Sequence, residues 1–186
     1  SSAQGNQGKS FGWLNYKLFE SGKISPQFNP FGGEERFWLG PEGGPFSIYF
    51  QKDQEQSFEN WLVPKEFDTV PYDITSQSSS SVSFKKDFSL VNASGTPMEI
   101  EMNRTVRLLS QQEVSQTIGI APGDSLRMVA YETENTLINK GKNEWNEKTG
   151  FLSVWMLSMF NPSEKGVVFI PYLKGSEEKL GTVVTD

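Results

Sequence analysis

The segment Glu99-Ile100-Glu101-Met102-Asn103-Arg104-Thr105-Val106-Arg107-Leu108 alternates polar and apolar side chains along its length. Successive side chains of a strand point to opposite faces, so the apolar positions share one face and the polar positions share the other. Arg104 is the exception, because it falls on the apolar face. The segment therefore predicts a long strand against a core. It leaves two interpretations of Arg104: a buried ion pair with a glutamate, or a contact for an anionic or polar ligand.

Other segments repeat this period of two, with turns rich in Gly, Pro, Asn and Asp between them. The predicted strands are residues 46–50, 82–85, 125–133, 151–160, 167–173 and 182–185. The Ser-rich run at 76–83 is predicted to be an edge strand or a loop. Many short strands at this spacing are typical of a sheet sandwich, so the predicted fold class is all-β.

One segment departs from the strand pattern and predicts a short helix. Ser110-Gln111-Gln112-Glu113 has the form of a capping box, in which the serine hydroxyl and the glutamate carboxylate each satisfy a free backbone amide. Gly119 stands where a left-handed residue would end the helix. We therefore expect one short helix near residues 111–118.

Composition excludes several functional classes. The 186 residues fit one domain, and 17 basic residues against 23 acidic ones, without a basic stripe, disfavour nucleic acid as a partner. The chain contains neither His nor Cys, which excludes imidazole and thiol catalysis, disulfides and cysteine zinc sites. No Gly-rich phosphate loop precedes a helix and no acidic cluster has the spacing of a calcium loop, so we assign neither a cofactor nor a metal site, and metal dependence stays open. No apolar stretch approaches the ~20 residues of a membrane span.

The densest cluster of polar and aromatic side chains lies in residues 28–45. Two glycine pairs there enclose several carboxylates, an arginine and a tryptophan. An aromatic plate for the apolar face of a sugar ring, with charged groups for its hydroxyls, is the equipment of a carbohydrate site. The alternative is a β-arch with Phe37 and Leu39 inside and Glu35 in an ion pair. The candidate binding residues from this segment are Glu34, Glu35, Arg36, Trp38 and Glu42.

A second cluster, residues 132–141, precedes two tryptophans. Asparagine amides can bind a ligand, but they also stabilise turns, and the turn role is the alternative here. The candidate residues from this part of the chain are Asn139, Trp145 and Trp155.

Three strings carry a resemblance to a known family: FGWLN at 11–15, FGGEERFWLGPEGG at 31–44, and ENTLINKG at 134–141 with Trp145 and Trp155 after it. Over nearly its whole length the chain resembles an uncharacterised bacterial family of the DUF6786 type, frequent in Bacteroidetes. That family is similar to the galactose mutarotase superfamily. The resemblance implies a β-supersandwich with a carbohydrate groove across its concave sheet.

The resemblance also carries expectations about completeness and location. The family is longer at both ends, so residues 1–186 are expected to form a single β-sandwich domain that is part of a longer chain, a partial supersandwich. Its exposed strand edges are expected to need a partner, either the remaining parts of the same polypeptide or a second chain. An extracytoplasmic location, periplasmic or secreted, in a bacterium is expected.

Mutarotase chemistry is not implied. The superfamily uses histidine as the general acid, but Phe31 stands at one histidine position and the other corresponds to the region of Val154 and Trp155. Epimerase activity would need an acid from outside this chain. The implied function is carbohydrate binding or processing. No catalytic residue is assigned, and Glu34 and Glu42 are the candidates if a glycosidic bond is cleaved.

The alternative function is a non-catalytic structural or interaction module whose aromatic residues form the core. A structure separates the two, because the binding hypothesis requires the tryptophans to line one open concavity together with Glu34 or Glu35.

Overall fold

Two antiparallel sheets form the framework of the described part of the chain. The computed structural model describes residues 10–121, 123, 127–171 and 175–180. The strands are β1 (Arg36–Gly40), β2 (Asp73–Gln77), β3 (Ser81–Val91), β4 (Pro97–Leu108), β5 (Tyr131–Asn139) and β6 (Ser153–Leu157). The helices are α1 (Tyr16–Ser21), α2 (Lys65–Asp68), α3 (Gln111–Ile118) and α4 (Glu177–Leu180), with a 3-10 turn at Phe58–Asn60. The predicted all-β, sandwich-like architecture is confirmed.

The larger sheet is an antiparallel meander in the order β2-β3-β4-β5. The predicted long strand is β4, which lies between β3 and β5. Its apolar face enters the core as expected, since Met98, Ile100 and Met102 are almost completely buried. Arg104, on that same face, lies between Phe84 of β3 and Asn135 of β5 in the strand register.

The smaller sheet pairs β1 with β6, and it places Trp38 opposite Trp155. Phe37, Trp38 and Leu39 are all buried, so both faces of β1 are covered. The ring of Phe37 lies 5.9 Å from the Arg104 guanidinium of β4, whereas Trp38 contacts aromatic rings that follow β1 in sequence. Strand β1 is therefore enclosed between the large sheet and those aromatic rings.

The prediction of a half-buried strand at 46–50 is wrong. Ser47, Ile48, Tyr49 and Phe50 are all buried, so no face of the segment is exposed. Their backbone groups bond to different segments: the Ile48 amide donates to the Pro41 carbonyl at 3.3 Å, and the Tyr49 carbonyl accepts from Leu62 at 2.9 Å. Because neighbouring residues have different partners, no ladder forms.

Three of the other strand predictions hold. Strand β3 contains residues 82–85, and β6 lies inside the predicted range 151–160. The Ser-rich run forms the end of the edge strand β2 and the turn to β3, which the Ser78 amide closes by donating to the Ser81 carbonyl at 2.8 Å.

The remaining strand predictions need correction or cannot be assessed. The strand predicted at 125–133 begins only at Tyr131 and continues to Asn139, because β5 pairs with β4 along that length. Its predicted start at 125–126 lies outside the described residues. No strand occurs at 167–171, where residues 167–170 are strongly exposed instead. Residues 172–173 and the predicted strand at 182–185 also lie outside the described part.

The predicted helix is α3, and its bounds agree with the expectation. The other short helices of the described part, α1, α2 and α4, were not predicted. Ser110 Oγ accepts from the Glu113 amide at 3.3 Å, and the Glu113 carboxylate accepts from the Ser110 amide at 2.8 Å. Gly119 follows with a φ of 72°, a left-handed conformation that ends the helix. None of the helices in the described ranges is long and apolar enough to cross a membrane.

The polar face of β4 carries a charge cluster around Glu101. Its carboxylate accepts from Lys85 Nζ at 2.7 Å and from Asn103 Nδ2 at 2.8 Å, and Lys140 Nζ lies 3.5 Å away. The hydrogen bond from Lys85 and the one from Asn103 lower the pKa of Glu101 to about 2. The ionised form is therefore favoured in the folded protein.

This depressed pKa predicts a contribution to acid sensitivity. The stabilisation from Glu101 is present above its ordinary pKa of 4.5 and is lost as the pH falls toward about 2, because the unfolded chain binds the proton more readily. We expect the free energy of unfolding of Glu101→Gln to fall less steeply than wild type over that interval. Urea denaturation at a series of pH values measures this. The exposed neighbour Glu99→Gln is the matched control, and equal slopes for Glu101→Gln and wild type would contradict the expectation.

Candidate functional site

The candidate site is a cleft of about 480 Å³ between α1, β1, the α2–β2 segment and the large sheet. Its aromatic lining comes from Phe19, Phe31, Phe37, Phe67, Tyr72 and Phe84. Its charged lining comes from Glu35, Arg36, Asp68 and Arg104. Aromatic surface and balanced charges thus meet in one cleft.

Arg104 and Glu35 form the central polar pair of this cleft. Arg104 Nη2 lies 3.1 Å from Glu35 Oε1, and the two side chains are 11% and 16% exposed. Arg104 Nη1 also donates to Asn135 Oδ1 at 2.7 Å. The ion-pair interpretation of Arg104 is therefore confirmed, and its partner is Glu35.

Strand β5 supports this pair from the side. Thr133 and Asn135 lie on the same face of β5, and Thr133 Oγ1 donates to Glu35 Oε1 at 2.8 Å. Asn135 Nδ2 in turn donates to Thr133 Oγ1 at 3.2 Å. These bonds use Oε1, while Oε2 of Glu35 makes no hydrogen bond within the described ranges. An acceptor oxygen and an adjacent guanidinium are thus held in fixed positions beside the cleft.

A second ion pair, between Arg36 and Asp68, joins β1 to α2. Arg36 Nη2 lies 2.9 Å from Asp68 Oδ1, and the exposed fractions of the side chains are 12% and 4%. Asn29 adds to this connection, because its Nδ2 donates to Asp68 Oδ2 at 2.7 Å and its carbonyl accepts from Arg36 Nη1 at 3.2 Å. The guanidinium also lies 4.7 Å from the centre of the Trp38 ring. Arg36 therefore lines the cleft but uses its donors within the fold.

Helix α1 supplies the most exposed aromatic ring of the cleft. Asn15 caps this helix by accepting from the Leu18 amide at 3.2 Å. Phe19 is 52% exposed and stacks on Phe31 at 5.0 Å between ring centres. This pair offers an accessible apolar face to a ligand.

On the opposite wall, Tyr72 packs edge to face with Phe84 at 6.4 Å between ring centres. Burial raises the pKa of Tyr72 to about 12, and its hydroxyl donates to Met102 Sδ at 3.7 Å. Tyr131 of β5 is a further tyrosine near this polar group. Its pKa is raised by burial and by the carboxylates of Glu34 and Glu35. Both tyrosines are therefore neutral hydroxyl groups over the ordinary pH range.

The three predicted tryptophans lie in or against the core and do not line this cleft. Trp38 is 3% exposed and packs edge to face with Trp155 at 5.6 Å. Trp145 and Trp155 are half-buried against the same core. The structure thus brings two tryptophans together, but it does not present the three rings on one open concavity with Glu35.

The other predicted site residues lie in different places. Glu35 and Arg36 line the cleft, and the half-buried Glu34 packs against Gly12, where an added Cβ would meet Glu34 Cβ at 2.8 Å. Asn139 makes turn contacts, since its Oδ1 accepts from the Gly141 amide at 3.0 Å. Glu42 is exposed beside a separate hollow.

The sequence prediction of the site omitted Tyr72 and Phe84, and it did not single out Thr133 and Asn135 within the cluster at 132–141. Part of this group could have been expected, because an arginine on an apolar strand face needs polar side chains from neighbouring segments close to it. The partners could not be identified, because the pairing of β5 with β4 and the position of the loop with Glu35 depend on distant segments.

No group of three or more acidic side chains in the described ranges is arranged to hold a metal ion.

Comparisons with curated proteins and with solved structures gave no match. One family model, described as a family of unknown function (DUF6786), matches residues 1–186. This match agrees with the family that the strings at 11–15, 31–44 and 134–141 indicated. The chain belongs to the DUF6786 family, whose function is unknown.

Proposed function

We propose that this protein binds carbohydrate in the cleft, with Glu35 and Arg104 as its polar contacts. The observation that carries the proposal is the ion pair of Glu35 and Arg104, largely buried and opening into a cleft with aromatic walls. The Glu35 carboxylate can accept from a hydroxyl, and the Arg104 guanidinium can donate to one. Neighbouring hydroxyls on a sugar ring offer both functions.

The shape and charge of the cleft support a neutral sugar in particular. Two arginines and two carboxylates line it as formed pairs, so its formal charges balance. Phe19 provides an exposed aromatic face for the apolar side of a ring. A volume of about 480 Å³ lies within the range of small-molecule pockets.

The proposal is a binding function without an assigned reaction. The chain has no histidine, and we propose no proton transfer to a sugar. A relation to the galactose mutarotase superfamily, a bacterial origin and an extracytoplasmic location are parts of the same proposal, as are further segments or a second chain as partners.

A structural or interaction module is the second candidate. The position of Trp38, Trp145 and Trp155 in or against the core favours it, because these rings contribute to packing.

A sugar-binding experiment tests the proposal. A glycan array with wild-type protein should identify a ligand, and calorimetry should then give its affinity. Glu35→Gln removes the charged acceptor of a hydrogen bond from the sugar, so it should weaken binding about tenfold or more. Phe19→Ala removes an exposed stacking face and should also weaken binding. Glu134→Gln, on the opposite face of β5, is the matched control and should bind like wild type.

Two results would contradict carbohydrate binding in this cleft. One is the absence of any glycan ligand, and the other is a ligand whose affinity is the same for wild type, Glu35→Gln and Phe19→Ala. The first result favours the interaction module, and the second places the sugar elsewhere on the protein.

A further inference from the structure

A second, smaller hollow lies apart from the cleft and shares no lining residue with it. Its volume is about 240 Å³. Its lining residues are Glu42, Phe50, Gln56, Ser57, Phe58 and Trp61. No lysine or arginine is among them, so the hollow combines aromatic surface with a carboxylate.

Two lining residues of the hollow, Phe58 and Trp61, belong to a stack of three aromatic rings whose third member, Tyr49, lies behind them in the core. Phe58 lies 6.2 Å from Trp61 at 13° between ring planes, and Trp61 lies 5.7 Å from Tyr49 at 5°. Tyr49 is 1% exposed, and its hydroxyl donates to the Leu39 carbonyl at 2.6 Å. Phe58 is 74% exposed. The core thus supports an aromatic ring that remains open to solvent.

The segment that carries Glu42 is held beside this stack by hydrogen bonds. Ser47 Oγ donates to the Glu42 carbonyl at 2.5 Å. The Gln56 amide bonds both the amide and the carbonyl of Gly44, each at 2.8 Å. The Glu42 carboxylate itself makes no ion pair or hydrogen bond in the described ranges. Burial raises the pKa of Tyr49, and the charge of Glu42 adds to this shift. A free carboxylate is therefore positioned near the aromatic rings.

We propose that this hollow binds a small organic cation, either a quaternary ammonium or a protonated alkylamine. A cation is attracted to the negative face of aromatic rings, and a neighbouring carboxylate adds direct charge attraction. The available polar groups select against other ligands. The Gln56 side chain is occupied by Gly44, with which it forms two hydrogen bonds. The charged group of the lining is Glu42, which suits a cation better than an anion.

The charge of the surrounding loop supports this choice. Asp53, Glu55 and Glu59, which are exposed near the hollow in sequence, outnumber the exposed Lys52, and the whole chain has a net charge of −6. Negative potential around a site raises the local concentration of cations. The hollow shares no lining residue with the proposed sugar cleft, so either site could exist without the other.

Calorimetric titration with choline, and with its uncharged carbon isostere dimethylbutanol, tests the proposal. We expect saturable choline binding and no comparable binding of the isostere. Glu42→Gln should weaken choline binding about five- to tenfold, and Phe58→Leu about two- to fivefold. Glu134→Gln removes an exposed carboxylate from β5, outside this loop, and should leave the affinity close to wild type. Added salt should weaken binding to wild type more than to Glu42→Gln.

Thermal unfolding of each variant shows whether the fold is retained. Glu42 and Phe58 are exposed, so both variants should unfold close to wild type. The proposal is overturned if choline does not bind, if the isostere binds equally well, or if Glu42→Gln and Phe58→Leu bind choline like wild type.

Discussion

Replacing Trp38 by alanine should lower the free energy of unfolding by about 3–5 kcal/mol, the usual cost of deleting a large buried ring. Trp38 is 3% exposed in the centre of β1. Its ring meets Phe28 at 5.7 Å, Phe67 at 5.9 Å and Trp155 at 5.6 Å between centres. The deletion therefore opens a cavity at the junction of β1, β6 and the aromatic segment after β1. Urea denaturation followed by circular dichroism gives the value.

Two variants make this result specific. Trp38→Phe retains an aromatic ring and removes an indole Nε1 that is buried without a hydrogen-bond partner, so it should cost much less. Phe58→Ala truncates an exposed ring and should cost little. If Trp38→Ala unfolded like wild type but lost a bound sugar, Trp38 would be a ligand contact, as its sequence context indicated.

Replacing Asp68 by alanine should lower the free energy of unfolding by about 3–5 kcal/mol, since the guanidinium of Arg36 would remain buried without its partner. The side chains are 12% and 4% exposed at a distance of 2.9 Å. Asn29, itself 1% exposed, would also lose one of the two acceptors of its Nδ2 group and keep the other, the Ser25 carbonyl. The loss would therefore affect three segments at once: the loop before β1, β1 and α2.

An apolar double variant separates the effect of the unpaired charge from that of lost packing. Arg36→Met combined with Asp68→Leu replaces both charges by apolar groups, and we expect it to be more stable than Asp68→Ala alone. Equilibrium urea unfolding of all variants measures the difference. A double variant as unstable as Asp68→Ala would show that packing, and not the charge of Arg36, causes the loss. Lys65→Ala, in the same helix but exposed, is the control.

Local patterns in the sequence were sufficient to predict β4 and α3. In β4 the alternation of side chains agrees with one buried face, and in α3 the capping residues and Gly119 define both ends. These features depend on residues that are close in sequence. Residues 46–50 show the limit of this reasoning. Their apolar side chains have the spacing of a strand, but the segment is buried and irregular.

For the cleft, the sequence indicated some of the lining residues but not their partners. Glu35 and Arg36 were predicted and do line the cleft. Trp38 could not be placed, because its burial depends on residues as distant as Trp155. Arg104 was noted for its position on an apolar face, but its pairing with Glu35 depends on how β1 packs against the large sheet. Contacts between segments that are distant in sequence therefore determine where these side chains lie.

The pairing of β1 with β6 has a consequence for the order of folding. The β3–β4 and β4–β5 pairs join neighbouring segments, whereas residue 38 faces residue 155. Closing a long loop costs entropy before its contacts repay it, so the meander can form first and the β1–β6 pair later. During synthesis, Glu35 leaves the ribosome long before Thr133 and Asn135. The polar pair of the cleft can be completed only after these two residues have emerged. Glu35 is thus made early, yet it is among the last lining residues of the cleft to reach its final contacts.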